Sequence, residues 1–182
     1  MAAHLQGRIS VDEYVARYID QAGKPACEHI DGVLIPKPMA GDDHSAVQSN
    51  LVFYLRSRYN KTMKIRPGFH AKLRQARFRI PDVMVIDRKH PFEGRYPGPG
   101  SPVFLCIEIK SPDDSLEQQI YEKCREYHAW GVPHFWVIDP EARRLWAYDV
   151  GDAEPKRCSA RLSAGNISVT AAEVLKICRI RA

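Results

Sequence analysis

The stretch VFLCIEIK, residues 103–110, contains a predicted buried β-strand, Val103–Ile109, and carries two charged side chains on an otherwise apolar segment. Side chains alternate along a strand, so Glu108 and Lys110 project from one face, whereas Ile107 and Ile109 project from the other and feed the core. Charged groups are costly to bury unless they are paired or bind a ligand. The pair is therefore either a salt bridge at the end of a sheet or part of a functional site.

A second apolar segment, Asp82–Asp87, predicts another short strand, and Pro81 fixes how the chain enters it. The loop between the two strands, residues 88–102, contains four prolines and three glycines, so it must be irregular and lets the strands pair antiparallel. That pairing can place Asp82 beside Glu108. Two adjacent carboxylates repel each other, and a divalent cation is the usual remedy.

Carboxylate oxygens, the carbonyl of Ile109 and water molecules are ligands that suit Mg²⁺ or Mn²⁺, so we expect one of these ions as the cofactor. Lys110 then lies one step from the metal, where it could orient an attacking water or stabilise the charge that develops on a phosphate. These residues favour metal-assisted phosphodiester hydrolysis at Asp82, Glu108 and Lys110.

The composition of the chain limits the number of domains, the kind of partner and the state of the cysteines. Residues 1–182 fit a single domain, and a content of 45% hydrophobic and 27% charged residues is enough to build one core. The net charge of +5 and the pI of about 9.0 suit a polyanionic partner such as DNA. Five cysteines without a CxxC spacing are expected to be reduced, mostly buried thiols. No signal peptide or membrane-spanning run is evident in the sequence, so we expect a cytoplasmic protein.

Periodicity and turn signals predict a mixed α/β (α+β) domain in which helices flank a central mixed sheet. A capping box at Ser10 and Glu13 starts the first helix, which is expected to run to about Ala22. The other predicted elements, in chain order, are a hairpin of Cys27–Ile30 and Val33–Pro36 around Asp31-Gly32, a helix capped by Asp42 or Asp43 and running to about Tyr59, strands Met63–Leu73 and Phe78–Ile80, a helix over Leu116–Trp130, strands His134–Asp139 and Leu145–Tyr148, and a tail with one strand and a short helix over Ala171–Ile177.

Pro81-Asp82 followed by Glu108-Ile109-Lys110 resembles the PD-(D/E)xK motif of restriction-endonuclease-like nucleases. Over roughly residues 10–150, the chain also resembles the Uma-type family of small stand-alone bacterial proteins, often labelled restriction endonucleases. The further segments that carry this resemblance are Glu28–Gly32, the helix that starts at His44, Glu108–Pro112, Lys123 with Tyr127, and Gly131–Pro140.

The resemblance implies a restriction-endonuclease-like fold, metal-dependent cleavage of DNA phosphodiester bonds, and a homodimer. It also implies that Asp82 and Glu108 are the metal-binding acids. The catalytic lysine stays open: the superfamily lysine corresponds to Lys110, whereas family members that lack it are thought to use the lysine of the next helix, here Lys123. The chain departs from the family at Gln119, where an aspartate is common.

Helical spacing places Lys123 on the helix face that should pack on the sheet, together with Gln119 and Tyr127. The Lys123 side chain then either reaches over the end of the sheet to the acids or lies with its stem along the core.

Further candidate residues each have a plainer alternative. Glu28, which the resemblance places near the acids, is either a third metal-binding carboxylate or an exposed side chain at a strand end. His44 either contacts a metal-bound water or a phosphate, or is satisfied by local hydrogen bonds. Arg74 and Arg77, in a basic stretch that also contains Arg79, either hold the DNA backbone or form a solvated hairpin face.

The leading hypothesis is a Mg²⁺-dependent DNA endonuclease. One alternative is a catalytically inactive nucleic-acid-binding or protein-interaction module on the same fold, which divalent-metal binding would distinguish from the nuclease. The other is a metal-dependent hydrolase of a different phosphoester, which competition with DNA would distinguish.

Overall fold

The computed structural model describes residues 8–21, 25–37, 40–112, 114–115 and 118–176, with residues 118–120 described through their backbone. Its helices are α1 (Val11–Tyr14), α2 (Asp42–Tyr59), α3 (Cys124–Trp130) and α4 (Ala171–Val174), and π-helical segments follow α1 (Val15–Ile19) and precede α3 (Gln118–Lys123). The strands are β1 (Cys27–Ile30), β2 (Val33–Pro36), β3 (Met63–Pro67), β4 (Ala71–Arg74), β5 (Arg77–Arg79), β6 (Val83–Asp87), β7 (Val103–Ile109), β8 (His134–Asp139), β9 (Arg144–Asp149), β10 (Lys156–Cys158), β11 (Arg161–Ala164) and β12 (Ile167–Thr170).

A six-stranded sheet in the order β10-β9-β8-β7-β6-β3 forms the centre of the molecule. Strands β6 and β7 pair antiparallel, as the irregular loop between them predicted. Strands β7 and β8 pair parallel, and α3 lies in the crossover that joins them. A mixed sheet flanked by helices confirms the predicted fold class.

The two faces of β6 and β7 pack against different helices. The face that carries Met84 and Cys106 packs on Cys124 and Tyr127 of α3, and strand alternation places Glu108 on this face. The opposite face is entirely aliphatic along β6 and β7 and shares a core with α2; its members are Val83, Val85, Leu105, Ile107 and Ile109, packed with Val47, Leu51 and Leu55. The predicted alternation is confirmed from Leu105 to Ile109, whereas Lys110 lies beyond the end of β7 and lines a cavity beside the start of α2.

A second sheet, in the order β2-β1-β5-β4, lies with α1 beside the central sheet. The turn between β1 and β2 has φ angles of 51° at Asp31 and 92° at Gly32, the left-handed geometry that an Asp-Gly hairpin turn requires. Glu28, on β1, and Lys37, directly after β2, belong to this sheet. The second sheet thus supplies two charged side chains to the end of the central one.

The predicted strand Met63–Leu73 is wrong as a single element. The chain turns at Gly68, whose φ of 52° favours glycine, and divides into β3 in the central sheet and β4 in the second sheet. The Gly68 N–H donates to the carbonyl oxygen of Asp82 at 3.0 Å. The turn that separates the two sheets is therefore bonded to the residue that opens β6.

Helix α2 begins one residue earlier than a cap at Asp42 would place it. Gly41 is its N-cap residue, so Asp42 and Asp43 lie in the first turn, where their negative charges interact favourably with the positive end of the helix dipole. This start places His44 in the first turn as well, with its side chain buried.

The C-terminal part holds three strands where one was predicted. Strand β10 extends the central sheet, and β11 and β12 form a separate hairpin. Short alternating segments with few apolar residues give weak sequence signals, which explains the miss. The expected helix limits at Ala22, Leu116 and Ile177 lie outside the described residues. Within the described part of the chain, no helix combines the length and the apolar character needed to cross a membrane.

Candidate active site

Asp82, directly before β6, is held by groups from three distant parts of the chain. Its Oδ2 accepts a 2.7 Å hydrogen bond from the Ile109 N–H and lies 3.2 Å from Nε2 of His44. Its Oδ1 accepts a 2.7 Å bond from Nζ of Lys37. These contacts fix the carboxylate, which is almost fully buried, at the end of β7.

Glu108 lies on β7 and is 1% exposed. Its Oε2 accepts a 2.8 Å hydrogen bond from Nζ of Lys123, and its Oε1 accepts a 2.8 Å bond from the hydroxyl of Tyr127. Lys123 therefore reaches over the end of the sheet to the acids, as one of its two sequence interpretations expected.

The two acids converge on a single ammonium group. Nζ of Lys37 lies 2.7 Å from Oδ1 of Asp82 and 3.9 Å from Oε2 of Glu108, and it donates to the carbonyl oxygen of Ile80 at 2.6 Å. The predicted placement of Asp82 beside Glu108 is thus the arrangement observed.

Burial favours the neutral form of both acids, but their surroundings separate them. For Asp82, the charge of Lys37 and the hydrogen bond with His44 outweigh burial, so its pKa lies below the usual value. For Glu108, burial outweighs the charges of Lys123 and Lys37, so its pKa is raised. Asp82 is consequently the firmly ionised member of the pair, and added positive charge would stabilise ionised Glu108.

Glu28 is 4% exposed, so it is not the exposed strand-end side chain of its plainer interpretation. Its Oε2 accepts a 2.6 Å hydrogen bond from Arg79, and its Oε1 accepts a 2.9 Å bond from the Ile80 N–H. Burial raises the pKa of Glu28, but the charges of Lys123, Arg79 and Lys37 lower it by more. The three predicted acids therefore lie in one buried region, with Glu28 bonded to an arginine.

The arginines of the β4–β5 hairpin form a chain of ion pairs. Arg74 and Arg77 each donate to Oδ2 of Asp31 at 2.8 Å, and both Arg77 and Arg79 donate to Glu126 of α3. The Arg79 side chain is 6% exposed, which excludes it from a solvated hairpin face, whereas that of Arg74 is 59% exposed. Of these arginines, Arg74 offers the most open surface to a partner.

A cavity of about 400 Å³ is lined by His44, by Lys110 and by four acidic residues, Asp42, Asp43, Asp139 and Glu141. Nζ of Lys110 donates to the carbonyl of Ser111 at 3.3 Å. His44 joins the cavity to the site, since its Nε2 lies against Asp82 while its buried Nδ1 has no hydrogen-bond partner among the described residues. The two lysine candidates therefore differ in place: Lys123 contacts Glu108, and Lys110 faces the cavity.

The donor chemistry of the site fits a hard divalent cation. Within the residues that the structure describes, no three His, Cys, Asp or Glu side chains are grouped to hold a metal ion. Asp82, Glu108 and the Ile80 carbonyl nevertheless direct three oxygen atoms at one cationic nitrogen. Oxygen ligands of these kinds are the ones that Mg²⁺ and Mn²⁺ prefer.

Sequence reasoning missed Lys37, and no local signal could have found it. The residue lies between two prolines after β2, and its contacts with Asp82 and Glu108 depend on how the two sheets meet. Tyr127 had a usable signal, since helical spacing put it four positions after Lys123 on the same face. Gln119, the departure from the family pattern, lies where the structure describes the backbone only.

The protein-family model described as "Uma2: Putative restriction endonuclease" matches residues 11–175. The chain belongs to the Uma2 family. Among solved structures, a "putative nuclease belonging to DUF820" from Anabaena variabilis matches this Uma2 protein with a TM-score of 0.70 and 22% sequence identity, over 92% of this chain and 98% of that one. None of the curated proteins matches the chain.

These comparisons confirm the resemblance that Pro81-Asp82 and Glu108-Ile109-Lys110 indicated. The structural match gives this Uma2 protein a restriction-endonuclease-like fold. Membership of the family supports a nuclease function, and both motifs lie inside the matched range.

Proposed function

We propose that this Uma2 protein is a divalent-metal-dependent endonuclease that hydrolyses DNA phosphodiester bonds. The observation that carries the proposal is the convergence of Asp82 and Glu108, two buried carboxylates from antiparallel strands, on one cation position. Paired acids in this setting are unfavourable unless positive charge lies between them. Asp82 and Glu108 are accordingly the residues that hold Mg²⁺ or Mn²⁺.

The bound ion would neutralise charge on the scissile phosphate and activate a water molecule. The protein supplies the geometry: the Ile109 N–H fixes Asp82, and the Tyr127 hydroxyl fixes Glu108. The Lys123 ammonium, 2.8 Å from Glu108, adds positive charge where charge builds up in the transition state.

We assign the catalytic lysine to Lys123 because it contacts one of the acids directly. Lys110 belongs instead to the wall of the adjacent cavity with His44, and there it would contact a DNA phosphate. Arg74, the most exposed arginine of the β4–β5 hairpin, is a further phosphate contact in this proposal, and Arg77, which is held by Asp31 and Glu126, orients that hairpin.

Glu28, the third acid that the sequence predicted, lies in the same buried region but is not assigned to the metal in this proposal. In the arrangement described, both of its oxygens are bonded, so it would bind the metal only by exchanging its bond with Arg79. The homodimer implied by the resemblance also belongs to the proposal, because two copies would bring two such sites to the two strands of a duplex.

The test is cleavage of plasmid and short duplex DNA by the purified full chain, with Mg²⁺, Mn²⁺ or EDTA. We expect metal-dependent cleavage by the wild type and a loss of about a thousandfold or more in Asp82→Asn. Asp87→Asn, at the other end of β6 and half-buried, is the matched control and should retain activity. Equal cleavage by Asp82→Asn and wild type would overturn the site assignment.

The competing function is DNA binding without cleavage, and one observation favours it. Each of the three acids is already bonded to a cationic side chain of the protein. Under this alternative, the wild type binds DNA equally well in EDTA and in Mn²⁺ and cuts no substrate in either condition. Metal-dependent cleavage excludes it.

A further inference from the structure

Lys37 follows a strand of the second sheet, but its side chain is largely buried in the site of the central sheet. Its backbone N–H donates to the carbonyl of Ala26 at 2.8 Å, directly after β2 in the second sheet, while its side chain enters the acid site of the central sheet. That side chain is only 18% exposed. A lysine that gives up this much hydration needs strong acceptors, and here it has them.

Two oxygen atoms accept hydrogen bonds from the Lys37 ammonium, and a third forms an ion pair with it at longer range. Asp82 Oδ1 lies at 2.7 Å, the Ile80 carbonyl oxygen at 2.6 Å, and Glu108 Oε2 at 3.9 Å. Two carboxylates and a backbone carbonyl are also a ligand set that suits a hard divalent cation. The ammonium therefore occupies the position at which the proposed metal would find its oxygen ligands.

We propose that Lys37 is an internal counter-ion that occupies the metal position and leaves it when the divalent ion binds. The inference rests on the proposed function, because it concerns the same two acids. It adds that metal binding is an exchange of one cation for another, and that the Ile80 carbonyl is an oxygen of the metal position.

The exchange follows from elementary electrostatics. Without metal, Asp82 and Glu108 would repel each other in a buried site, and the single charge of Lys37 compensates them. A divalent ion provides twice that charge, but it cannot share the position with an ammonium group. Lysine suits this task because its charge sits at the end of a flexible four-carbon stem, so the charge can move while the backbone of β2 stays in place.

The first test is calorimetric titration of Mn²⁺ into the wild type and Lys37→Met. Removing the competing charge should tighten Mn²⁺ binding by about tenfold or more, which is about 1.4 kcal/mol. Lys64→Met, on edge strand β3 and paired with Ile86 near the end of β6 away from Asp82, is the matched control and should bind like the wild type. Equal or weaker binding by Lys37→Met would overturn the inference.

Thermal unfolding in EDTA accompanies this titration. Metal-free Lys37→Met should melt below the wild type because its acids have lost their counter-ion, and saturating Mn²⁺ should reduce that difference. If Lys37→Met does not fold in EDTA, Lys37→Gln retains a polar end without the charge and provides the same comparison of Mn²⁺ affinities.

The second test follows Lys37 itself by acetylation with acetic anhydride and mass spectrometry of the wild type. Lys37 should react slowly in EDTA and severalfold faster in saturating Mn²⁺, whereas Lys64 should react at one rate in both. No metal effect on Lys37 would contradict the exchange. If the wild type cuts DNA but shows neither effect, the cation exchange is wrong and the proposed function stands. If it shows both effects but does not cut DNA, the proposed nuclease function is wrong and the cation exchange stands.

Discussion

Two pairs of acids lie side by side in this protein, and different cations hold them. Asp82 and Glu108 are bonded to the ammonium groups of Lys37 and Lys123. Next to them, Arg79 donates hydrogen bonds to Glu28 and to both carboxylate oxygens of Glu126. We call the first the lysine-held pair and the second the arginine-held pair.

The two pairs differ in how readily another cation can replace the one that holds them. A guanidinium group is planar and always charged, and its donors match carboxylates in a fixed fork, so the arginine-held pair is rigid. An ammonium group is a compact charge on a flexible stem, and another cation can replace it. We therefore propose metal chemistry for the lysine-held pair, whereas the arginine-held pair joins the second sheet to α3.

The largest effect on stability is expected for Glu28→Gln, which removes one acid of the arginine-held pair. Breaking a buried ion pair leaves Arg79 partly uncompensated and should lower the free energy of unfolding by about 3 kcal/mol. Affinity for Mn²⁺ should stay close to the wild-type value. Urea unfolding and calorimetry measure the two quantities, and the exposed pair variant Glu13→Gln is the control, expected to change stability by less than about 0.5 kcal/mol.

The opposite pattern, with stability kept and Mn²⁺ binding lost in Glu28→Gln, would show that Glu28 is a metal ligand. The comparison of the two pairs would then fail.

The next effect is on catalysis and distinguishes the two lysine candidates. Lys123→Met should lower the single-turnover cleavage rate at saturating Mn²⁺ by about 100-fold, because it removes positive charge at the reacting phosphate. Lys110→Met should instead weaken DNA binding, since Lys110 lies on the cavity wall. A larger loss of rate in Lys110→Met than in Lys123→Met would reverse the assignment.

The smallest effect concerns His70, whose ring lies against Tyr14 near the arginine-held pair. Burial lowers the pKa of His70, although the charge of Glu28 acts in the opposite direction. The unfolded chain then binds more protons than the folded one below about pH 6.5, so this residue costs stability as the pH falls through that region. His70→Gln should remove that part of the pH dependence.

Urea unfolding of the wild type and His70→Gln at pH 7.5 and 5.5 measures it. The stability difference between the two proteins should move in favour of the variant at the lower pH. A difference that is the same at both values would show that His70 does not report on burial in this region.

Much of the fold could be predicted because its signals are local. Strands β1, β2, β7 and β8 match their predicted limits, since alternation, an Asp-Gly turn and proline-rich loops determine them within a few residues. The break at Gly68 had a local signal in the Pro67-Gly68 dipeptide, but the apolar residues on both sides of it favoured one continuous strand.

The residues of the candidate site could likewise be predicted only in part. The placement of Asp82 and Glu108 followed from strand alternation and the loop between the strands. Their partners did not, because Lys37 arrives from the second sheet and its position is a property of the packed molecule. A contact between two sheets produces no periodic pattern in the sequence from which it could be predicted.

The measurement that tests the account most directly is titration of Mn²⁺ into the wild type, Glu108→Gln and Glu126→Gln, each alone and with a short DNA duplex. We predict a Mn²⁺ site in the wild type that disappears in Glu108→Gln, from the lysine-held pair, and persists in Glu126→Gln, from the arginine-held pair. Undiminished binding by Glu108→Gln, or no binding by the wild type even with the duplex present, would contradict the metal-dependent nuclease that we propose.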